Sequence, residues 1–230
     1  MAGSRYRPAP EPGVVLQADR LYRFFHTGGE EVLALSGVSL RLAAGERVVV
    51  AGESGSGKST LLACLAGLDE PDGGVVHVAG HRLTGRTEAE RARLRAAHLG
   101  MVYQYGNLLE HLTVARNIAF VRTLAGRRPV DVSDLLESVG LAGRGGAYPA
   151  ELSGGQAARA GLAVALANDP EVLIADEPTG ELDADTEERV LGLLTARAAR
   201  GIAVLVASHS PVIARTADRV LTLRDGQEVR

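Results

Sequence analysis

Apolar positions along this chain follow two kinds of pattern. Over Val32–Leu42, Leu35, Val38, Leu40 and Leu42 alternate in part with Ser36, Ser39 and Arg41. A period of two sends one set to a buried face and the other to solvent, which predicts a half-buried strand. Val14–Leu21 reads as a strand before it, with Thr27-Gly28-Gly29-Glu30 as the turn between them. Arg47-Val48-Val49-Val50-Ala51 does not alternate. A continuous apolar run predicts a strand covered on both faces, as in a parallel sheet. Leu61–Gly67 reads as a helix. Pro71-Asp72-Gly73-Gly74 is a tight turn, and Val75–Ala79 a further short strand. The early strands predict an N-terminal antiparallel β subdomain.

The second half changes period. Thr87–Ala97 is a charged helix whose Glu88 and Glu90 are interleaved with arginines, the composition of a solvated face. Leu99–Tyr103 is a short strand ending at Gln104. From about residue 105 to 150 the pattern is helical, with Thr113 capping Val114–Leu124 and Ser133 capping Asp134–Val139. Gly140–Gly146 is a loop, and Pro149 stops any helix before Glu151. This stretch predicts a helical insertion subdomain. An Ala/Leu-rich helix opens at Leu152–Gln156 and runs to about Asn168. Glu171–Ala175 and Ile202–Ala207 are buried strands on either side of an amphipathic helix, Asp183–Ala199, with Asp183 as its cap. Ser210–Thr216 is a short helix. Arg219–Leu223, turning at Asp225-Gly226, predicts a terminal hairpin. Strands alternating with helices predict an α/β fold, a mainly parallel sheet flanked by helices.

Composition narrows the picture without redirecting it. At 230 residues the chain fits one domain, residues 14–230, after a leader over residues 1–13 whose Pro8, Pro10 and Pro12 oppose regular pairing. The net charge of −3 gives no bulk attraction to nucleic acid or anionic lipid. Cys64 is the only cysteine, so the expectation is a small buried hydrophobe in a reducing compartment. No apolar run reaches the ~18 residues of a membrane span, and residues 1–13 lack the apolar core of a signal peptide. Service to a membrane would therefore run through a partner.

The candidate chemistry starts at Gly52-Glu53-Ser54-Gly55-Ser56-Gly57-Lys58-Ser59-Thr60, which reads G-x-x-x-x-G-K-[ST], the phosphate-binding loop. A buried strand precedes it and a helix follows, the context the motif requires. Glycines let successive amides turn inward around phosphate oxygens, and the helix N-terminus adds a positive dipole end. Lys58 is placed to bridge the outer phosphates and Ser59 to ligate Mg²⁺. A Gly/Ser-rich surface turn would need neither the Lys-Ser pair nor this spacing. The run Val172–Ala175 ends in Asp176-Glu177. Beside a phosphate loop, Asp176 is placed to hold Mg²⁺ through water, and Glu177 to polarise a water attacking the γ-phosphate. His209 follows the strand Ile202–Ala207 by two residues, where ligands sit in such sheets, and is placed to sense the γ-phosphate. Read alone, an acidic strand end or a histidine at a helix start is an ordinary surface feature; the phosphate loop gives both their meaning. Leu152-Ser153-Gly154-Gly155-Gln156 opens a helix with Ser and Gly, a second anion site. The first site already cradles phosphates in cis, so the second faces another molecule's nucleotide.

In this order and spacing the phosphate loop, Gln104, Leu152–Gln156, Asp176-Glu177, Glu181-Leu182-Asp183 and His209 resemble the nucleotide-binding subunit of an ABC transporter, over nearly all of Val14–Arg230. The resemblance implies a P-loop NTPase core and an ATPase. It implies a head-to-tail dimer of identical chains, in which Lys58 of one copy and Ser153, Gly154 and Gln156 of the other enclose each ATP. It further implies that Gln104 contacts Mg²⁺ and the transporter, that Glu177 is the catalytic base and that Asp183 communicates across the dimer. Phe25 aligns with the aromatic that stacks on adenine, with Tyr22 and Phe24 as rivals for that role. The chain would sit on the cytoplasmic face of a membrane through an integral permease, and bind no nucleic acid.

Phe25–Val32, Gly67-Leu68-Asp69, Asn107–Thr113 and Ala175–Gly180 are similar to the group that releases lipoproteins or exports macrolides. Cargo in that group spans export, lipoprotein or peptide extrusion and force transmission across the membrane. Glu53 and Glu110 stand where prolines are usual, Ala157, Ala158 and Val164 replace polar residues after the signature, and Glu181 replaces an Asn. None removes a catalytic group. The competing class is a non-transport ABC ATPase acting on ribosomes or DNA. Those members carry two cassettes or long coiled-coil insertions, which this sequence lacks.

Overall fold

The chain was analysed as a computed structural model, which describes residues 10–27, 30–128, 131–180 and 182–229. Two sheets form its frame. The first strands, β1 (Val14–Thr27) and β2 (Glu30–Ala43), pair antiparallel out to Thr27 and Glu30. Gly28 and Gly29 of the expected turn, and Met1–Ala9 of the expected leader, lie outside the described residues. Glu11 is tied down: its amide donates to Gln17 Oε1 and its carboxylate receives Arg41. β1 also pairs antiparallel with β4 (Gly73–Val78), which pairs with β5 (His81–Arg82). The strands before residue 80 thus form the expected antiparallel sheet, with one exception.

That exception is β3 (Arg47–Ala51), which leaves the first sheet and enters a second in the order β10-β9-β3-β8-β7-β6. The remaining members are β6 (Leu99–Val102), β7 (Val172–Asp176), β8 (Ala203–Ala207), β9 (Arg219–Arg224) and β10 (Gln227–Val229). β6 to β9 and β3 run parallel, and only the terminal hairpin β9–β10 is antiparallel. The continuous apolar run of β3 has the burial it predicts. Val48 and Val50 face one side and Val49 the other, all nearly solvent-free.

α1 (Lys58–Leu65) lies between the two sheets. Leu61 and Leu65 are fully buried there against Leu16 and Leu40 on one side and Val48, Ile174 and Leu205 on the other. Burying side chains of this size contributes roughly 1.5–3 kcal/mol each. Cys64 is buried in the same layer, and burial pushes its thiol up to about 12, the inert condition expected of it. On the opposite face of the parallel sheet lie α5 (Gly154–Leu166) and α6 (Ala184–Ala198), with α7 (Pro211–Thr216) beside them.

The insertion comprises α3 (Val114–Leu124) and α4 (Ser133–Ser138), then a single 3₁₀ turn at Pro149–Glu151 whose first position is Pro149. Its small core, Val114, Ile118, Leu136, Val139 and Leu141, packs on Ala160, Ala163 and Ala167 along α5. α5 therefore serves two cores at once, one face on the sheet and another on the insertion. α2 (Glu88–His98) starts at a Thr87–Glu90 capping box. Glu88 and Arg93 are exposed as expected of a solvated face, but Arg91 and Arg95 are largely covered, Arg91 pairing with Glu70 and Glu88 and Arg95 with Glu88 and the Gly67 carbonyl.

One expected cap is corrected. Thr113 and Asp183 cap α3 and α6, each accepting from the amide three residues on. Ser133 does not cap: it is the first residue of α4, and its amide and hydroxyl both donate to Asp131 Oδ1. An Asp two residues upstream offers a charged acceptor, and it displaces the serine from the capping position.

Candidate nucleotide site

The loop between β3 and α1 is held from three directions. Gly57 sits at φ 101, and a Cβ there would lie 2.6 Å from the Ala34 carbonyl of β2. A residue with a side chain would fail on both counts. A Cβ on Gly226 of the terminal hairpin would likewise lie 2.6 Å from that carbonyl. The Gly226 amide donates to Ser56 O at 3.1 Å and its carbonyl accepts from Ser36 N at 2.8 Å. Inside the loop, the Lys58 ammonium donates to the carbonyls of Gly52 and Glu53 at 2.7 and 2.9 Å. The cation is thus stored over the loop, beside the amides that open α1. The Glu53 side chain is exposed at the rim; only its carbonyl takes part.

This loop floors a cleft of about 800 Å³. Glu53, Ser54, Gly55, Gly57, Lys58, Ser59 and Thr60 line it, as do Gln104, Asp176, Glu177 and His209. Phe25, Val32, Leu33 and Ala34 form its apolar end. Gly52 and Ser56 lie beneath: the Gly52 carbonyl holds Lys58, and Ser56 Oγ is buried with no hydrogen-bond partner. Of the three rival aromatics, only Phe25 lines the cleft. Tyr22 instead packs its ring over Gly37 and Gly73.

Glu177 is the most constrained residue in the cleft. It has φ 45, a left-handed conformation that costs a side-chain-bearing residue about 1–2 kcal/mol. Its amide donates to Ala207 O at 2.9 Å, and its carbonyl accepts from Gly180. The turn lifts the carboxylate off the line of β7 toward the end of β8, where three donors meet it. Ser208 Oγ donates to Oε2 at 3.0 Å, the His209 amide donates to Oε1 at 3.2 Å, and His209 Nδ1 lies 2.9 Å from Oε1. Ser208 was invisible as a site residue in the sequence, where it is one more small residue after an apolar strand. Asp176 ends β7 opposite Ala207.

Ser59, Gln104 and Asp176 bring a hydroxyl, an amide and a carboxylate to the one cleft. Oxygen donors of this kind, few in number, suit Mg²⁺, which keeps several waters and shares phosphate oxygens. Among the described residues, no group of three or more His, Cys, Asp or Glu is arranged so that it could hold a metal ion by itself.

Ser153, Gly154, Gly155 and Gln156 do not line this cleft. They open α5 as a capping box: Ser153 Oγ accepts from Gln156 N, and Gln156 Oε1 accepts from Ser153 N. Gly155 presses on α6, where an added Cβ would lie 2.6 Å from Thr186 Cγ2. Thr186 in turn donates its amide and hydroxyl to Asp183, both at 2.9 Å. Those donors, the amide foremost, hold the Asp183 carboxyl below the usual range. Leu152–Gln156 and Asp183 are thereby joined within one chain and separate from its own phosphate loop. Glu181 lies outside the described residues.

Gln104 lies between the cleft and a second groove, lined among others by Glu110, Gly154, Ala157, Glu177 and Leu182. Asn107 anchors the segment. It exchanges hydrogen bonds with the Tyr103 main chain and rests on Gly161 of α5. Farther out, a mainly apolar groove of about 460 Å³ runs between α2, β6, α3 and α5, with Arg93, Tyr103 and Leu124 in its walls.

Residues 35–180 match the family model described as ABC transporter. The chain is 42% identical over 223 residues to a lipoprotein-releasing system ATP-binding protein, LolD 1, of Rhodospirillum rubrum, covering 95% of this chain and 99% of that protein. It is 40% identical over 220 residues to the macrolide export ATP-binding/permease protein MacB of Shigella flexneri, covering 94% of this chain. It spans 34%, about a third, of that longer protein. Among solved structures, the dimeric ABC transporter cassette MJ0796 superposes with a TM-score of 0.87 at 32% identity, over 94% of this chain and 97% of that one. The same cassette in a post-hydrolysis state bound to ADP and phosphate gives 0.87 at 31%.

Proposed function

The chain belongs to the ABC transporter family, and we propose that it binds and hydrolyses ATP to drive a separate membrane permease. What carries the reading is the convergence in one cleft of Lys58, Ser59, Gln104, Asp176, Glu177 and His209, from widely separated segments. Triphosphate oxygens take the loop amides and draw Lys58 from the Gly52 and Glu53 carbonyls onto the outer phosphates. Ser59, Gln104 and Asp176 hold Mg²⁺, which neutralises charge developing on the phosphates. Glu177, held by Ser208 and His209, polarises the attacking water. Phe25 takes the adenine, with Val32 and Leu33 beside it.

Ser153, Gly154, Gly155 and Gln156 face the nucleotide of a second copy, in a head-to-tail pair. Their absence from the lining of the chain's own cleft supports this, as does the exposed start of α5. Asp183, tied to Gly155 through Thr186, transmits between the paired sites. The apolar groove beside α3, together with Gln104, receives the permease, which places the chain on the cytoplasmic face of a membrane. No helix among the described residues is long and apolar enough to cross one.

The direct test is Lys58→Ala. Removing the cation that stabilises the transferring phosphate should lower ATP turnover by about 10²-fold or more. Wild-type turnover in that variant would overturn the site assignment.

A further inference from the structure

Behind Phe25 stands an arginine that is itself fully held. Arg23 Nε and Nη2 donate to the two carboxylate oxygens of Asp69 at 2.7 and 2.9 Å, a bidentate pair. Its Nη1 donates to Asp72 Oδ2 at 3.0 Å. The same Asp72 oxygen accepts the Phe24 amide at 2.8 Å. That amide and then Arg23 keep the Asp72 carboxyl below the usual range, so the cluster stays charged near neutrality. Arg23 and Phe25 stand two residues apart on β1, across a register shift between Arg23 and Phe24. The guanidinium carbon lies 4.7 Å from the centre of the Phe25 ring. Phe25 lines the cleft and Arg23 does not.

We propose that Arg23 is a positioning residue for the nucleotide base, clamping Phe25 so that one ring face is presented to adenine. The proposal rests on Phe25 being the stacking aromatic. Near the end of an exposed hairpin, with 39% of its surface open, a phenylalanine has little else to fix its ring. Ordering it on binding would cost affinity; ordering it beforehand removes that cost. A guanidinium stacked on the ring attracts its π-face, and the two aspartates spend the arginine's own rotamer freedom in advance. Lysine, a point charge without a planar fork, cannot pair with Asp69 bidentately and lie over the ring at once. The two carboxylates also outweigh the single cation, so the cluster offers no attraction to phosphates. Its effect falls on the base alone.

The test measures the affinities of ATP and of inorganic tripolyphosphate, which occupies the phosphate loop and has no base. The proteins are wild type, Arg23→Met, Arg23→Lys, Phe25→Ala and the Arg23→Met/Phe25→Ala double variant, each with its melting temperature. Arg23→Met should weaken ATP by about three- to tenfold. KM should rise accordingly while kcat holds and tripolyphosphate binds as before. Arg23→Lys should fall between Arg23→Met and wild type, and Arg23→Met should add nothing in the Phe25→Ala background. Equal weakening of ATP and tripolyphosphate, or additive effects of the two substitutions, would overturn the clamp. If Phe25→Ala weakens ATP and Arg23→Met does not, Arg23 has no such role, while the stacking assignment stands. If Phe25→Ala leaves ATP affinity unchanged, the stacking assignment itself fails and the clamp with it.

Discussion

His209 Nδ1 lies 2.9 Å from Glu177 Oε1, and the amide of His209 donates to that same oxygen. With Ser208 on Oε2, both carboxylate oxygens are engaged. A carboxylate so tethered keeps one orientation toward the loop. In Glu177→Gln the amide retains part of this network but cannot act as a base. Hydrolysis should fall by about 10²–10⁴-fold while ATP still binds. Size-exclusion chromatography with ATP should then show an accumulated dimer; a monomeric, fully active variant would contradict the sandwich.

Gly155→Ala probes the link between the signature and Asp183. The new Cβ would press on Thr186 at 2.6 Å to Cγ2 and 3.0 Å to Oγ1. Thr186 would give way and loosen its bonds to Asp183. ATP binding by the separate subunit should be unchanged, with ATPase activity down about 10²-fold, as expected of a small displacement in an assembled site. Normal turnover would show that the close approach is incidental.

His77 gives a pH dependence whose sign can be worked out. Burial, with Arg82 adding repulsion and Asp19 opposing it, pushes its imidazole below the ordinary 6.5, and Nδ1 has no partner. The folded state therefore binds a proton less readily than the unfolded state. The stability tied to this group is complete above 6.5 and is lost as pH falls from there through the folded value. Urea midpoints measured above 6.5 and about one unit below should fall more in wild type than in His77→Phe. Equal losses would remove His77 from the account.

Glu110 is exposed in the groove beside Gln104. Glu110→Lys reverses its charge beside Gln104, the part of the proposed docking surface nearest the nucleotide cleft. It should reduce co-purification with the membrane subunit and leave ATP affinity intact. Unchanged co-purification would move the docking surface elsewhere.

What the sequence made legible was local. The phosphate loop, the acidic end of β7 and the terminal hairpin each depend on neighbours a few residues away. So do the Thr113 and Asp183 caps. Ser133 failed as a cap because its competitor, Asp131, is equally local but bears a charge. The first strand was read too short, ending at Leu21, because Arg20 at φ 46 and the register shifts at Ala18/Leu21, Leu21/Tyr22 and Arg23/Phe24 break the alternation while β1 continues to Thr27. The contacts that position the site were not legible. Arg23 finds Asp69, Ser208 finds Glu177 and Ala34 finds Gly57 only after the sheets have assembled. The choice among Tyr22, Phe24 and Phe25 likewise needed three dimensions, because it depends on which ring reaches the cleft.

The Ala34 carbonyl, beside which neither Gly57 nor Gly226 has room for a side chain, ties an early loop to the last hairpin of the chain. Translation makes Gly57 early, yet the bracket that fixes its loop includes a hairpin made far later. A nascent chain emerging from the ribosome carries the phosphate loop without that support until Gly226 is out.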